Sequence, residues 1–207
     1  RISSIEPTTV SDELLEWMAT SPKACRHLHL PLKSGDDYIL GRMKRVYTTA
    51  EYGRFVEKAK SLMPDLGLGT DIMVGFPGET DTHFESSRRF VEETPFSYLH
   101  VFSYSDRPKT VANYYDDKCH PTTIRERSAV LHDLAEEKRR AFYESHIGRT
   151  EEVLFEIADI DGLRKGFTRS YVRVGVEEST VKDNQLVPVA IGSVDSDICR
   201  GQLAITF

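Results

Sequence analysis

Residues 68–80 read Leu-Gly-Thr-Asp-Ile-Met-Val-Gly-Phe-Pro-Gly-Glu-Thr. An apolar run of strand length ends in two glycines around a proline, followed by an acid and a threonine suited to opening a helix. Gly75 and Gly78 permit a tight exit, Pro77 fixes the backbone, and Glu79 and Thr80 favour the positive end of the next helix. The same succession of apolar run, polar turn and helix signal occurs at residues 1–6, 26–32 and 97–104.

The intervening segments carry helix starts. Ser11 precedes Asp12 and Glu13, with Leu14, Leu15 and Met18 as an apolar stripe. Ser34 with Asp37, and Thr48 with Glu51, have capping-box spacing, and Tyr52, Phe55, Val56 and Ala59 line one face of the second helix. A last helix is expected from Thr122 or Thr123 to His146. Four strand–helix alternations predict a parallel sheet, because parallel strands need a helix-sized connection. Chemistry in such a sheet gathers at the strand C-termini, which brings Glu6, Lys33, Gly75 and Arg107 toward one rim. Asp71 lies inside an apolar strand, where an unpaired carboxylate is costly, so it is expected to have a partner.

The chain has 207 residues, 39% of them hydrophobic, which is enough for one medium core or two small ones. Its 33 acids against 27 bases argue against strong global attraction to nucleic acid or membrane, so any basic surface must be local. No apolar stretch reaches the roughly 20 residues that span a bilayer, and no signal-peptide pattern opens the chain; the expectation is a cytoplasmic protein with no membrane partner. Cys25, Cys119 and Cys199 form no CxxC and suggest neither disulfides nor a metal site. The chain opens within a strand pattern, and four parallel strands cannot close a barrel, so a fragment of a larger protein is expected.

Past residue 146 the pattern changes to short strand-like runs beginning at Glu152, Gly166, Leu186 and Gly201, with turns near Asp161 and Gly162 and near residues 182–184. This predicts a second domain at 147–207, a small antiparallel barrel, after an α/β domain at 1–146. Arg164, Lys165, Arg169, Tyr171 and Arg173 interleave basic and aromatic residues there. If 169–173 is a strand, Arg169, Tyr171 and Arg173 share a face able to bind RNA or simply to meet solvent.

Taken together, "RISSIEP", "HLHLPLKSGDDYILGRMKRVYT", "TDIMVGFPGETDTHF" and "LHVFSYSDRPKT" closely resemble the radical S-adenosylmethionine (SAM) methylthiotransferases, and residues 147–207 are similar to their terminal TRAM domain, thought to grip tRNA. The resemblance implies the C-terminal part of a partial parallel (β/α) radical SAM barrel followed by a TRAM barrel. Three branches are open, acting on isopentenyladenosine-37 of tRNA, threonylcarbamoyladenosine-37 of tRNA, or a ribosomal-protein aspartate; Ser3-Ser4-Ile5-Glu6-Pro7 looks most like the threonylcarbamoyl branch.

It further implies S-adenosylmethionine and two [4Fe-4S] clusters, whose cysteine motifs do not occur in these residues, so this piece alone is expected to be inactive. One S-adenosylmethionine supplies methyl for sulfur and another a 5′-deoxyadenosyl radical that removes hydrogen from adenine C2. Partners implied are the tRNA anticodon stem-loop, an electron donor, a sulfur source and the N-terminal portion of the same protein.

By resemblance, Glu6 faces the cofactor's amino group or a polar substrate group. Lys33, where relatives commonly have glutamine, pairs with the cofactor carboxylate, and Asp71 is a ligand or a salt-bridge residue. Met73, Val74 and Gly75 lie near the adenine, and Arg45 and Arg107 bind phosphate or the threonyl carboxylate. Lys165, Arg169, Tyr171 and Arg173 would meet RNA. A non-enzymatic RNA-binding module is the competing reading from another class.

Overall fold

The computed structural model describes residues 1–156, 162–177 and 181–204. Ile157, Asp161 and Ile205, within the strand and turn expectations above, lie outside them. Three parallel strands, β1 (His27–His29), β2 (Gly67–Val74) and β3 (Tyr98–Ser103), form one sheet in that order. Five helices accompany them: α1 (Asp12–Thr20), α2 (Asp37–Arg42), α3 (Thr49–Leu62), α4 (Asp81–Glu93) and α5 (Pro121–Glu144).

The helices begin where capping chemistry directs. Ser11 accepts from Leu14 N–H, and Thr48 with Glu51 closes a full capping box. Thr80 caps α4 and His120 caps α5, whose first residue is Pro121. Asp36 caps α2 in place of the expected Ser34, because the buried Ser34 hydroxyl is committed to Ser87 at 3.0 Å.

The first expected strand does not form. Ile2 makes an isolated parallel bridge to Leu28, and Ile5 N–H donates to His29 O, but Ser4 between them takes a left-handed conformation (φ 57°) that interrupts the ladder. The sheet therefore has three strands rather than four. β1 is also shorter than expected: Pro31 has no N–H, and Leu32 N–H is held by the Thr70 hydroxyl at 3.0 Å instead of a ladder carbonyl.

Side chains alternate across a strand, so β2 sorts its residues onto two faces. Leu68, Thr70, Ile72 and Val74 join Leu28, Leu30, Tyr52, Val56 and Met63 in the buried core. The opposite face carries Asp71 and Met73 beside His29, Tyr98 and His100. One face thus anchors the sheet by apolar burial and the other is left for polar groups.

Beyond α5, strands β4 (Thr150–Phe155), β5 (Arg164–Thr168), β6 (Arg173–Val176), β7 (Leu186–Asp195) and β8 (Ile198–Leu203) close a barrel in the order β4-β5-β6-β8-β7. It is not wholly antiparallel, since β6 and β8 run parallel. Val153, Phe155, Val174, Val189 and Ile191 fill it, joined by Tyr143 from the end of α5.

Residues 169–171 do not continue a strand. Arg169 and Ser170 form a turn, and Tyr171 has φ 73°, so Arg169, Tyr171 and Arg173 share no face. That turn seats on the parallel sheet. Arg169 Nη2 donates to the carbonyls of Ser21 (3.3 Å), Pro22 (2.8 Å) and Ala24 (2.6 Å), while the Tyr171 ring lies 4.6 Å from His27. The fit needs glycine at 67, where a Cβ would stand 1.8 Å from Ser170 O.

Candidate functional site

A cleft of about 520 Å³ opens where β1, β2 and β3 end. Phe76, in the turn that leaves β2, lines it. Gly75 (φ 76°) and Gly78 (φ 88°) turn the chain through backbone conformations that side chains disfavour, and a Cβ at Gly75 would meet Ile124 at 2.4 Å. Glu79 folds back to accept from Gly75 N–H at 3.0 Å and from Arg127 Nη1 at 2.7 Å; Arg127 also reaches Glu79 O and, at 2.7 Å, Asp81. Burial pushes the Glu79 carboxyl upward from its ordinary range, against the pull of Gly75 N–H and the Arg127 guanidinium. The sequence reading of Glu79 as a helix-start residue misses this pair, which ties α5 to the turn after β2 across 48 positions.

Lys33, Arg45, Met73 and Arg107, all singled out in the sequence, line this cleft together. Lys33 is left-handed (φ 71°) and donates to Asp71 Oδ2 at 2.8 Å. His29 Nε2 lies 3.1 Å from the other Asp71 oxygen without hydrogen-bond alignment. Burial holds His29 below the ordinary histidine value, with Asp71 opposing, so His29 is neutral at pH 7 and the ion pair is Lys33 with Asp71. Asp71 therefore has the partner its position demands. Glu6 stands at the edge, accepting from Arg45 Nη1 at 2.7 Å.

Val74 turns into the core and Gly75 is covered by Ile124, so of residues 73–75 only Met73 reaches the cleft wall. Arg173 pairs with Asp197 at 2.9 Å, and with Lys165 it borders a small separate pocket on the barrel. Arg169 and Tyr171 are spent on the sheet.

The sequence reading missed Arg42, Lys44, Phe102 and Tyr115, which also line the cleft. The signal was present in Arg42-Met43-Lys44-Arg45, three cations in four residues at the end of a helix. Arg42 stacks over Tyr115 at 4.3 Å and pairs with Asp117 at 2.7 Å. Five cationic side chains and no carboxylate line the walls, in a chain of net charge −6.

Among the described residues no group of three His, Cys, Asp or Glu is placed to hold a metal ion, and no helix is long and apolar enough to cross a membrane. Residues 2–91 match the family model described as the radical SAM superfamily. Relatives match over most of the chain. Threonylcarbamoyladenosine tRNA methylthiotransferase MtaB of Thermotoga maritima is 34% identical, covering 98% of this chain and 48% of its own length. The Bacillus subtilis protein of the same name is 32% identical over 92% and 43%. A tRNA-2-methylthio-N(6)-dimethylallyladenosine synthase of Chromobacterium violaceum is 39% identical over 75% and 35%. The chain thus spans less than half the length of these relatives. Among solved structures, coproporphyrinogen III oxidase (HemN) of Escherichia coli, a radical SAM enzyme, aligns with 67% of this chain and 32% of its own at TM-score 0.54 and 16% identity, a likeness of fold alone.

Proposed function

The chain belongs to the radical SAM methylthiotransferase family, and on that premise we propose that the complete protein adds a methylthio group to C2 of N6-threonylcarbamoyladenosine at position 37 of tRNA. The observation that carries this choice of substrate is that every charged side chain lining the cleft is a cation. A threonylcarbamoyl group brings a carboxylate that a guanidinium holds in bidentate fashion, and Arg45 is our assignment for it. A dimethylallyl group is apolar and gives those cations nothing to bind. The 39% identity to a dimethylallyladenosine synthase supports that substrate as the second reading.

The cleft suits S-adenosylmethionine. Its size falls within the usual range of roughly 300–1,000 Å³ for ligand sites. Lys33 offers an ammonium to the cofactor carboxylate, and Met73 and Phe102 offer apolar surface. Bound there, the cofactor supplies the methyl group and the radical reactivity. The protein's residues hold and orient, with Asp71 fixing the Lys33 ammonium and the Glu79–Arg127 pair holding the turn after β2 that carries Phe76. An iron–sulfur cluster does not fit the described residues: Cys25, Cys119 and Cys199 are all free and none belongs to a ligand cluster. We assign the cluster ligands to sequence beyond these residues, expect the 207-residue chain alone to be inactive, and assign the β4–β8 barrel as a TRAM domain. An electron donor, a sulfur source and a cytoplasmic setting belong to the same proposal.

The test uses the full-length, cluster-reconstituted protein on synthetic anticodon stem–loops carrying threonylcarbamoyladenosine or dimethylallyladenosine. Methylthiolation of the first, with kcat/KM reduced on that substrate alone by Arg45→Gln, is expected. Turnover of the dimethylallyl substrate only would replace this reading with the second.

A further inference from the structure

Residues paired across a parallel sheet present their side chains on the same face, so the strand registers sort the polar face of β1, β2 and β3 into layers. From the strand N-termini upward these are His27 with Gly67, His29 with Gly69 and Tyr98, Asp71 with His100, and Met73 with Phe102. Lys33 spans the upper two, holding Asp71 at 2.8 Å and lining the cleft with Met73 and Phe102. From Gly67 to Met73 the strand rises about 20 Å.

β2 gives no side chain to the two lower layers, and other elements fill the space. A Cβ at Gly69 would stand 2.1 Å from Tyr98 Cζ, and the space over Gly67 is taken by Ser170 of the small barrel. The next residue, Tyr171, lies against both rings of these layers, with centroids 4.6 Å from His27 and 5.7 Å from Tyr98. His27 Nε2 and the Tyr98 hydroxyl meet at 2.8 Å, and the Tyr98 ring lies 6.2 Å from His29 and within 12° of parallel to it. His29 Nδ1 meets the Ser4 hydroxyl at a long 3.4 Å, and its Nε2 is not aligned to bond the Asp71 oxygen beside it, so packing against Tyr98 places this ring. Tyr171 is presented by a turn built within the barrel: its N–H donates to Thr168 O at 3.2 Å, and the Thr168 hydroxyl accepts from Val172 N–H at 3.0 Å. Its left-handed backbone (φ 73°) is costly for an aromatic residue, and such a cost points to a use.

We infer that Tyr171, presented by the small barrel, is a positioning residue of the cofactor cleft: it holds His27 and Tyr98, and through them the His29, Asp71 and Lys33 group that offers an ammonium to the cofactor carboxylate. The inference rests on the reading above that the cleft takes S-adenosylmethionine. It gives the small barrel a part in shaping the cleft beside the RNA contacts expected of it, because its turn completes the stack of layers whose top lines the cleft.

The experiment measures equilibrium affinity of the full-length, cluster-reconstituted protein for S-adenosylmethionine by calorimetry and for a labelled anticodon stem–loop by fluorescence anisotropy. Tyr171→Asn removes the ring, keeps a residue tolerant of the left-handed backbone, and leaves Arg169 on its three carbonyls. It is expected to weaken S-adenosylmethionine binding roughly tenfold, the scale on which small misplacements of a site are felt, with stem–loop affinity unchanged. Tyr171→Phe, which keeps the ring, is expected to bind the cofactor as the unmodified protein does. So is Val153→Ala, which weakens the barrel from within its own core without touching the layers. Unchanged cofactor affinity in Tyr171→Asn, or a loss confined to the stem–loop, overturns the inference and leaves the cofactor reading standing. An equal loss in Val153→Ala overturns it too, by making barrel stability the whole cause, and an equal loss in Tyr171→Phe does so by making the hydroxyl the group that acts. Absence of S-adenosylmethionine binding in the unmodified protein overturns both.

Discussion

Replacing Arg127 with methionine strikes the best-buried ion pair of a carboxylate with a guanidinium among the described residues. The side chains of Arg127 and Glu79 are 7% and 1% exposed, and the substitution removes the 2.7 Å bond between them together with the 3.0 Å bond to Glu79 O. The contact to Asp81 counts for little, because that carboxylate is 97% exposed and well screened. What remains is a buried carboxylate with Gly75 N–H as its partner, and breaking such a pair costs about 3–5 kcal/mol. Burial, no longer opposed by a cation, then raises the Glu79 value further. A carboxyl whose folded value lies above its unfolded one binds protons more tightly when folded, so the loss at pH 7 shrinks as pH falls through that raised value. Urea unfolding followed by the single tryptophan, Trp17 on α1, measures this in the sheet domain. The double variant Arg127→Met, Glu79→Gln is expected to recover part of the loss at pH 7, because no charge is left stranded. A cost for Arg127→Met below about 1 kcal/mol, equal at pH 7 and pH 5, would refute the reasoning.

Gly67→Ala forces a Cβ to within 1.8 Å of Ser170 O, a backbone atom, so the barrel must shift or the sheet strain; a cost of about 1–3 kcal/mol and faster limited proteolysis between the two parts are expected. Arg169→Ala removes the guanidinium from three carbonyls, and the same proteolysis assay is expected to show the barrel released with its own fold intact by circular dichroism. His27 is held down to about 3 by burial first and by nearby Arg1 second, so the unfolded chain takes up a proton there below pH 6.5 while the folded one does not. Stability should therefore fall as pH drops from 6.5 toward 5, and His27→Gln should flatten that slope in unfolding measured at each pH.

What was legible in the sequence follows from how local each feature is. β2 and the turn after it were readable because an apolar run, two glycines and a capping threonine are contiguous, and the Thr48–Glu51 box was readable because its partners are three residues apart. Asp71 announced its need for a partner, though not that Lys33 and His29 would stand beside it. The first strand failed at Ser4, a residue type that gives little warning of a left-handed turn. The barrel turn failed for the same reason: Arg169, Ser170 and Tyr171 contain no glycine, proline or asparagine, so period-two alternation ran through a break that contact with the sheet imposes. Arg127 and Glu79 are 48 residues apart, and nothing in a local pattern joins them. The five cations of the cleft were not seen as a group because Arg42 and Lys44 were not weighed at all, while only the folded rim shows that no carboxylate shares the wall.

The central claim is that the complete protein methylthiolates threonylcarbamoyladenosine in tRNA. Mass spectrometry of tRNA nucleosides from the source organism, with and without the gene, tests it most directly. The account predicts that deletion abolishes 2-methylthio-N6-threonylcarbamoyladenosine, that its unmethylthiolated precursor accumulates, and that the intact gene restores it. Unchanged 2-methylthio-N6-threonylcarbamoyladenosine, or loss confined to the dimethylallyl nucleoside, would contradict it.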